Sequence, residues 1–151
     1  MELPILNFPE KYKFQIKESN SLWYIFDEVR KKWLILTPEE WVRQHTIRFL
    51  KKQNQITDSA FVIEKKIELN RQTKRIDILI NNKLQPWLLV ECKAPEILLT
   101  RETFEQAARY NLQIKADFLM LTNGMHHIYF YYDQNHNEYK VIDSLNYRGK
   151  I

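Results

Sequence analysis

Apolar residues recur along this chain with two different periods, and the change of period separates helices from strands. From Pro38 to Lys52 they recur every three to four residues, which predicts a helix with one apolar face. Shorter apolar runs bounded by turn residues predict strands at about 60–69, 74–80, 87–93, 117–122 and 127–132, and a second helix at about 101–115. This order predicts a mixed α/β fold, in which one mixed sheet is flanked by helices.

The chain of 151 residues is long enough to bury a core and too short for two ordinary domains. We expect a single domain with an N-terminal extension over 1–30, a core over 31–133 and a C-terminal tail over 134–151. The apolar segments near the N terminus are interpreted as strands or as parts of the extension, and they lie at 12–16, 22–27 and 32–36. The sequence contains no internal repeat or low-complexity segment.

Charged residues interrupt two of the apolar strands in the middle of the chain. In the first strand, isoleucines hold the even positions from 76 to 80, so Asp77 is expected on the face opposite a continuous apolar stripe. In the second strand, alternation places Glu91 and Lys93 on one face. Two strands joined by a short polar loop usually pair antiparallel, with facing Cβ atoms about 4.5 to 5.5 Å apart. Asp77 and Glu91 are therefore predicted to bind one divalent metal ion together.

The Glu-x-Lys sequence also has an ordinary interpretation, as a salt bridge on a solvated strand face. Here, however, Glu91 and Lys93 follow Asp77 in the chain and precede a helix in which Gln106 and Tyr110 lie four residues apart, on one face. Charged residues in apolar strands need a partner or a metal. The joint arrangement therefore favours a catalytic metal site over an isolated salt bridge.

These motifs resemble a known family of nucleases. The PD-(D/E)xK nuclease superfamily is resembled by RIDILI with Asp77, LLVECKAPE with Glu91 and Lys93, FEQAARYN with Gln106 and Tyr110, and LMLTNG at 119–124. The specific resemblance is to the nuclease domain at the N terminus of the restriction (R) subunit of type I restriction enzymes. With KKWLILTPEEWVRQ at 31–44, it covers about 31–133. Ile76 stands where the family motif has proline.

The resemblance implies a restriction-endonuclease-like core and a magnesium-dependent DNA endonuclease, with Mn²⁺ able to substitute. The catalytic residues that it implies are Asp77, Glu91, Lys93, Gln106 and Tyr110. Asp77, Glu91 and the backbone carbonyl of Cys92 would bind the metal. Lys93 would orient or deprotonate the attacking water and neutralise charge on the phosphate, while Gln106 and Tyr110 would orient the lysine, the water or a phosphate.

The resemblance also predicts partners. R subunits continue into ATP-driven translocase domains, but this sequence contains no Gly-x-x-x-x-Gly-Lys-Ser/Thr phosphate loop. We therefore expect translocase, methylation and specificity functions to come from other subunits, and a homodimer would supply two sites for cutting both DNA strands. Two alternatives remain open: a DNA-binding module that has lost catalysis, and an interaction subunit of a restriction assembly.

Two further acidic residues have open interpretations. Glu40 follows Thr37 in a capping-box sequence, with Pro38 at the first helical position, and this explains Glu40 without a metal. The alternative role of Glu40 is that of an accessory metal ligand. Glu64 lies among charged neighbours in a predicted strand, so we interpret it as a solvated strand charge.

The net charge of +4 and a pI near 9.1 fit a nucleic-acid partner without requiring one. The candidate phosphate contacts are Arg43, Lys74, Arg75 and Arg109. Cys92 is the only cysteine, which excludes an internal disulfide and a cysteine-rich zinc site. No apolar run approaches the ~20 residues of a membrane span and no signal peptide is recognisable, so we expect a cytoplasmic protein without membrane association.

Overall fold

The structure is a computed structural model, and it describes residues 2–147. Its elements in chain order are β1 (Ile16–Ser19), β2 (Leu22–Asp27), β3 (Lys32–Ile35), α1 (Pro38–Asn54), a 3₁₀ turn (Asp58–Ala60), β4 (Phe61–Leu69), β5 (Gln72–Asn82), β6 (Gln85–Cys92), α2 (Arg101–Ile114), β7 (Phe118–Thr122), β8 (His127–Asp133) and β9 (Glu138–Ile142). The predicted mixed α/β fold, in which a helix, three strands, a second helix and further strands follow one another, is confirmed.

A small antiparallel sheet of β1, β2 and β3 precedes α1. Of the two interpretations left open for 12–16, a strand or part of the extension, the second holds for 12–15, because only Ile16 of that segment belongs to β1. Tyr12 and Phe14 lie instead against His45 of α1, with ring centroids 5.9 and 4.9 Å away. The alternating apolar residues of this segment therefore serve packing on a helix and not strand pairing.

The larger sheet has the strand order β4-β5-β6-β7-β8-β9. β5 and β6 pair antiparallel, as predicted from the short loop between them, and Ile78 lies opposite Val90. β6 and β7 are parallel, and α2 connects them as the crossover helix. α1 packs on one face of this sheet and α2 on the other.

Each face of the larger sheet has its own apolar cluster. Ile78 and Ile80 pack with α1, whereas Ile76 packs with α2. The isoleucine stripe therefore does not lie on one face, and our prediction of a continuous stripe opposite Asp77 was wrong.

The cause is a break in the regular alternation of side chains, which occurs at neighbouring positions of β4 and β5. In β4, Phe61 packs on the α1 side and Ile67 on the α2 side, although both positions are odd. Glu64 lies between them with φ of 54°, and the register of β4 and β5 brings it opposite Asp77. A residue with left-handed φ breaks the regular alternation of a strand. The side chains of Glu64 and Asp77 consequently reach toward α1.

The segment that we separated as a C-terminal tail contains β9, which pairs with β8 at the edge of the larger sheet. Residues 148–151 of that segment lie outside the described residues. Among residues 2–147, no helix is long and apolar enough to cross a lipid bilayer.

Candidate active site

Asp77 lies buried in β5, one residue beyond the paired Ile78 and Val90, so the register places it opposite Glu91. Its Oδ2 accepts a hydrogen bond from the backbone N–H of Cys92 at 2.8 Å. Its Oδ1 accepts one from Nη2 of Arg43 at 2.6 Å. Both oxygens of this carboxylate are therefore bonded within the protein.

Glu91 is only 5% exposed and is incompletely bonded. Nζ of Lys93 lies 3.3 Å from its Oε1, but its buried Oε2 has no hydrogen-bond partner among the described residues. Burial raises the pKa of Glu91 to about 8; the negative charge of Asp77 adds to the rise and Lys93 opposes it. Lys93 alone therefore does not offset the cost of burying an ionised Glu91 beside Asp77.

Thr37 caps the N terminus of α1, and its side-chain oxygen accepts a hydrogen bond from the backbone N–H of Glu40 at 3.0 Å. The capping box that we predicted is incomplete, because the Glu40 carboxylate accepts hydrogen bonds from Arg43 and Gln44. Arg43 also lies 3.2 Å from Glu39. These spacings of three and four residues place all four side chains on one face of the helix, toward Asp77.

Glu64 is not a solvated strand charge, and that interpretation was wrong. Its Oε2 accepts a hydrogen bond from Nη1 of Arg30 at 2.6 Å, and its Oε1 lies 3.9 Å from Nη1 of Arg43. Burial favours a higher pKa for Glu64, but the hydrogen bond from Arg30 and the charges of both arginines outweigh it and lower the pKa. Arg30 also binds Asp27 of β2 at 2.6 Å. Through its contacts with Asp27 and Glu64, this arginine connects the small sheet to β4 of the larger one.

We call these residues the carboxylate-arginine cluster: Asp27, Arg30, Glu39, Glu40, Arg43, Gln44, Glu64, Asp77 and Glu91. Four of its members had no role in the sequence-based predictions: Asp27, Arg30, Glu39 and Gln44. Gln44 follows Glu40 by four residues on a predicted helix, which is a usable signal. Arg30 lies 34 residues before Glu64 in the chain and carries no motif.

The predicted phosphate contacts occupy three different environments. Arg43 is buried and bound by carboxylates, so the expectation that it is an available DNA contact is wrong for this structure. Arg75 is exposed and Lys74 partly exposed, both on β5 beside the cluster. Arg109 is exposed on α2, where it lines a groove of about 780 Å³ with Lys115 and other residues.

Gln106 and Tyr110 form a pair on α2. Nε2 of Gln106 donates a hydrogen bond to the Tyr110 hydroxyl at 2.7 Å, as their spacing of four residues predicts. The Tyr110 ring is buried in the apolar cluster on the α2 side. Within residues 2–147, no hydrogen bond joins this pair to Lys93, Glu91 or Asp77.

The donor set can be tested for its fit to a divalent metal. In the described part of the chain, no three His, Cys, Asp or Glu side chains are already arranged to hold an ion. The unpartnered Oε2 of Glu91, however, is a buried carboxylate oxygen beside a second carboxylate, Asp77. Mg²⁺ prefers hard oxygen donors of this kind. These two carboxylates therefore fit the ion once the hydrogen bond from Arg43 to Oδ1 of Asp77 is broken. The Cys92 thiol lies in the α1-side core.

Comparison with known proteins identifies a family. The family model described as type I restriction enzyme R protein N terminus (HSDR_N) matches residues 38–145, which contain α1, the whole larger sheet and α2. A search of curated proteins found no match. The chain therefore belongs to the family of type I restriction enzyme R protein N-terminal domains.

Proposed function

We propose that this chain is a Mg²⁺-dependent deoxyribonuclease domain that cuts DNA internally by hydrolysing phosphodiester bonds, with Mn²⁺ able to substitute. The observation that supports this most is the state of Glu91, which is buried, has an unpartnered oxygen and has a raised pKa beside Asp77. A carboxylate in that environment is stabilised by a bound cation. A basic side chain, Lys93, lies within reach of the same carboxylate.

Asp77 and Glu91 would hold the metal, with the backbone carbonyl of Cys92 as a further ligand. When bound, the ion would lower the pKa of a coordinated water and neutralise charge on the phosphate. Lys93 would hold that water by a hydrogen bond and place a positive charge beside the scissile phosphate. Gln106 and Tyr110 would position a phosphate from the α2 side.

DNA would approach the end of β5 that carries Lys74, Arg75 and Asp77. Arg75 is exposed two residues from Asp77, and its charge reaches Glu64, so we propose that Arg75 and Lys74 contact backbone phosphates. Arg109 would contact DNA only if the duplex extends along α2. Family membership supports an assembly with translocase, methylation and specificity subunits, and a homodimer would place two sites on one duplex.

A cleavage assay with titrated Mg²⁺ tests the proposal on supercoiled plasmid and labelled single-stranded DNA. The wild type is compared with D77N, E91Q and K93A, and with E138Q, which changes an exposed glutamate of β9. We expect metal-dependent cutting by the wild type and E138Q, and none by the other three. Equal activity of all five proteins, or none from any of them, contradicts the proposal.

One observation favours a second candidate, a non-catalytic DNA-binding or interaction module. Both oxygens of Asp77 are already bonded, to Arg43 and to the N–H of Cys92. Salt-dependent DNA binding that is the same in the wild type and K93A, without cleavage by either, would favour the binding module. Absence of DNA affinity at low salt would favour the interaction module.

A further inference from the structure

The guanidinium of Arg43 lies where a metal would approach Asp77. Its Nη2 is 2.6 Å from Oδ1 of Asp77, and the other oxygen of that carboxylate accepts the N–H of Cys92. The Arg43 side chain is 7% exposed, so it is enclosed in the site and does not sample solvent freely. A metal ion that takes Oδ1 as a ligand must displace this hydrogen bond.

We propose that Arg43 is an internal competitor of the divalent metal, and that the metal binds only when the guanidinium leaves Asp77. This inference rests on the proposed function, because it assumes that Asp77 and Glu91 are the metal ligands. It assigns Arg43 to the control of metal occupancy, a role different from that of a DNA contact.

Arg43 can leave Asp77 without becoming an unpaired buried charge. The same guanidinium is bound to Glu40, and its Nη2 lies 3.2 Å from Glu39. Its Nε is buried and has no acceptor among the described residues, so its present position leaves one donor unsatisfied. A shift toward α1 would keep two carboxylate partners, and a buried arginine needs such partners.

A divalent ion could compensate the charge of Glu91, which Arg43 does not. Arg43 bonds Asp77, but it does not bond Glu91, whose Oε2 stays without a partner. One ion between the two carboxylates would compensate both, because their positions are opposite in β5 and β6 and their charges interact.

Removal of the guanidinium should therefore have opposite effects with and without metal. In R43Q, Asp77 loses its cationic partner, so the apo protein should melt at a lower temperature than the wild type. Its Oδ1 becomes available, so Mn²⁺ should bind more tightly and restore the melting temperature. A purely structural ion pair predicts the first effect without the second.

The experiment is Mn²⁺ titration by isothermal calorimetry, with thermal melting of each protein at increasing Mn²⁺. R48Q is the matched control, because Arg48 lies on the same helix and pairs with Glu28 at 3.1 Å, away from Asp77. We expect the dissociation constant of R43Q to be about tenfold lower than that of the wild type. We expect R48Q to bind Mn²⁺ as the wild type does.

R43K is included as a second variant in case R43Q does not fold. Lysine keeps the charge, but a single ammonium cannot bridge several carboxylates as a planar guanidinium does, so a smaller gain in Mn²⁺ affinity is expected. Wild-type binding that D77N and E91Q abolish, with no gain in R43Q or R43K, overturns this inference and leaves the proposed metal site intact. Binding that D77N and E91Q do not change, or no binding by any protein, overturns both.

Discussion

The two faces of the larger sheet differ in how they use polar residues. On the α2 side, the cluster is apolar around Tyr110, whose hydroxyl accepts one hydrogen bond from Gln106. On the α1 side, the apolar cluster ends at the carboxylate-arginine cluster, where Asp77 and Arg43 are both buried. Apolar burial stabilises a fold without specifying chemistry, whereas buried charges are costly unless paired. The α1 side is therefore where stability and the proposed activity depend on the same residues.

The largest effect is expected from D77N on the α1 side. The amide of asparagine carries no charge to balance that of Arg43. In either orientation its NH₂ group faces a donor, the guanidinium of Arg43 or the N–H of Cys92. We expect the free energy of unfolding to fall by about 3 kcal/mol, as in other broken buried ion pairs. Urea denaturation measures this, with E138Q as the control for a carboxylate-to-amide change on the surface. A change in D77N no larger than that in E138Q would contradict a buried, paired Asp77.

E91Q should change stability in the opposite direction. The pKa of Glu91 is raised to about 8, so the folded protein keeps a proton on Glu91 that the unfolded chain releases near its ordinary pKa. Wild-type stability from this group is fully present below that ordinary pKa and is lost as pH rises toward 8. Glutamine imitates the protonated form but does not pair with Lys93, so E91Q should be more stable by an amount that grows with pH and reaches about 2 kcal/mol above pH 8.

Urea denaturation of E91Q and the wild type between pH 4 and 9 checks this. The difference should vanish near pH 4 and level off above pH 8. A difference that is constant over this range would show that folding does not raise the pKa of Glu91.

A smaller effect is expected from E64Q at the edge of the cluster. The side chain of Glu64 is 32% exposed, and it pairs with Arg30 at 2.6 Å. Solvent screens such a pair, so its loss should lower the free energy of unfolding by about 1 kcal/mol. The loss should shrink in 1 M NaCl. A loss as large as that in D77N would show that Glu64 is a main support of the cluster.

The smallest effect on stability is expected on the α2 side. Q106A removes a partly buried hydrogen bond to Tyr110, which should cost about 0.5–1 kcal/mol. If Gln106 positions a phosphate, cleavage should nevertheless fall by about tenfold. Parallel denaturation and cleavage assays separate the two quantities. Unchanged cleavage would remove Gln106 from the proposed catalytic group and leave it as a helix-surface pair.

Local patterns in the sequence were sufficient for most of the fold. The helical spacing of α1 and the short loop between β5 and β6 depend only on nearby residues, so the antiparallel pairing that brings Asp77 opposite Glu91 could be predicted. The cap of α2 at Thr100 is also a local feature of the sequence. The segment with Tyr12 and Phe14 could not be assigned, because an apolar alternation fits a strand and a segment packed on a helix equally well.

The surroundings of Asp77 could not be predicted in the same way. Its orientation toward α1 accompanies the left-handed φ of Glu64 in another strand, and a single sequence gives no sign of that. The approach of Arg30 comes from a turn far away in the chain. Arg43 was recognised as a cation, but its charge is directed to carboxylates by the fold. The spacing of the motifs therefore predicted Asp77 and Glu91, whereas long-range packing determined that Arg43 is the cation bonded to Asp77.

The most direct test of the central claim, that Asp77 and Glu91 together form a cation site, is an anomalous-difference map from crystals grown with Mn²⁺. We predict a single strong peak between the two carboxylates, bound by both of them, with the Arg43 guanidinium on Glu39 and Glu40. A map with no peak there at saturating Mn²⁺, and with Arg43 still bonded to Asp77, would contradict the account.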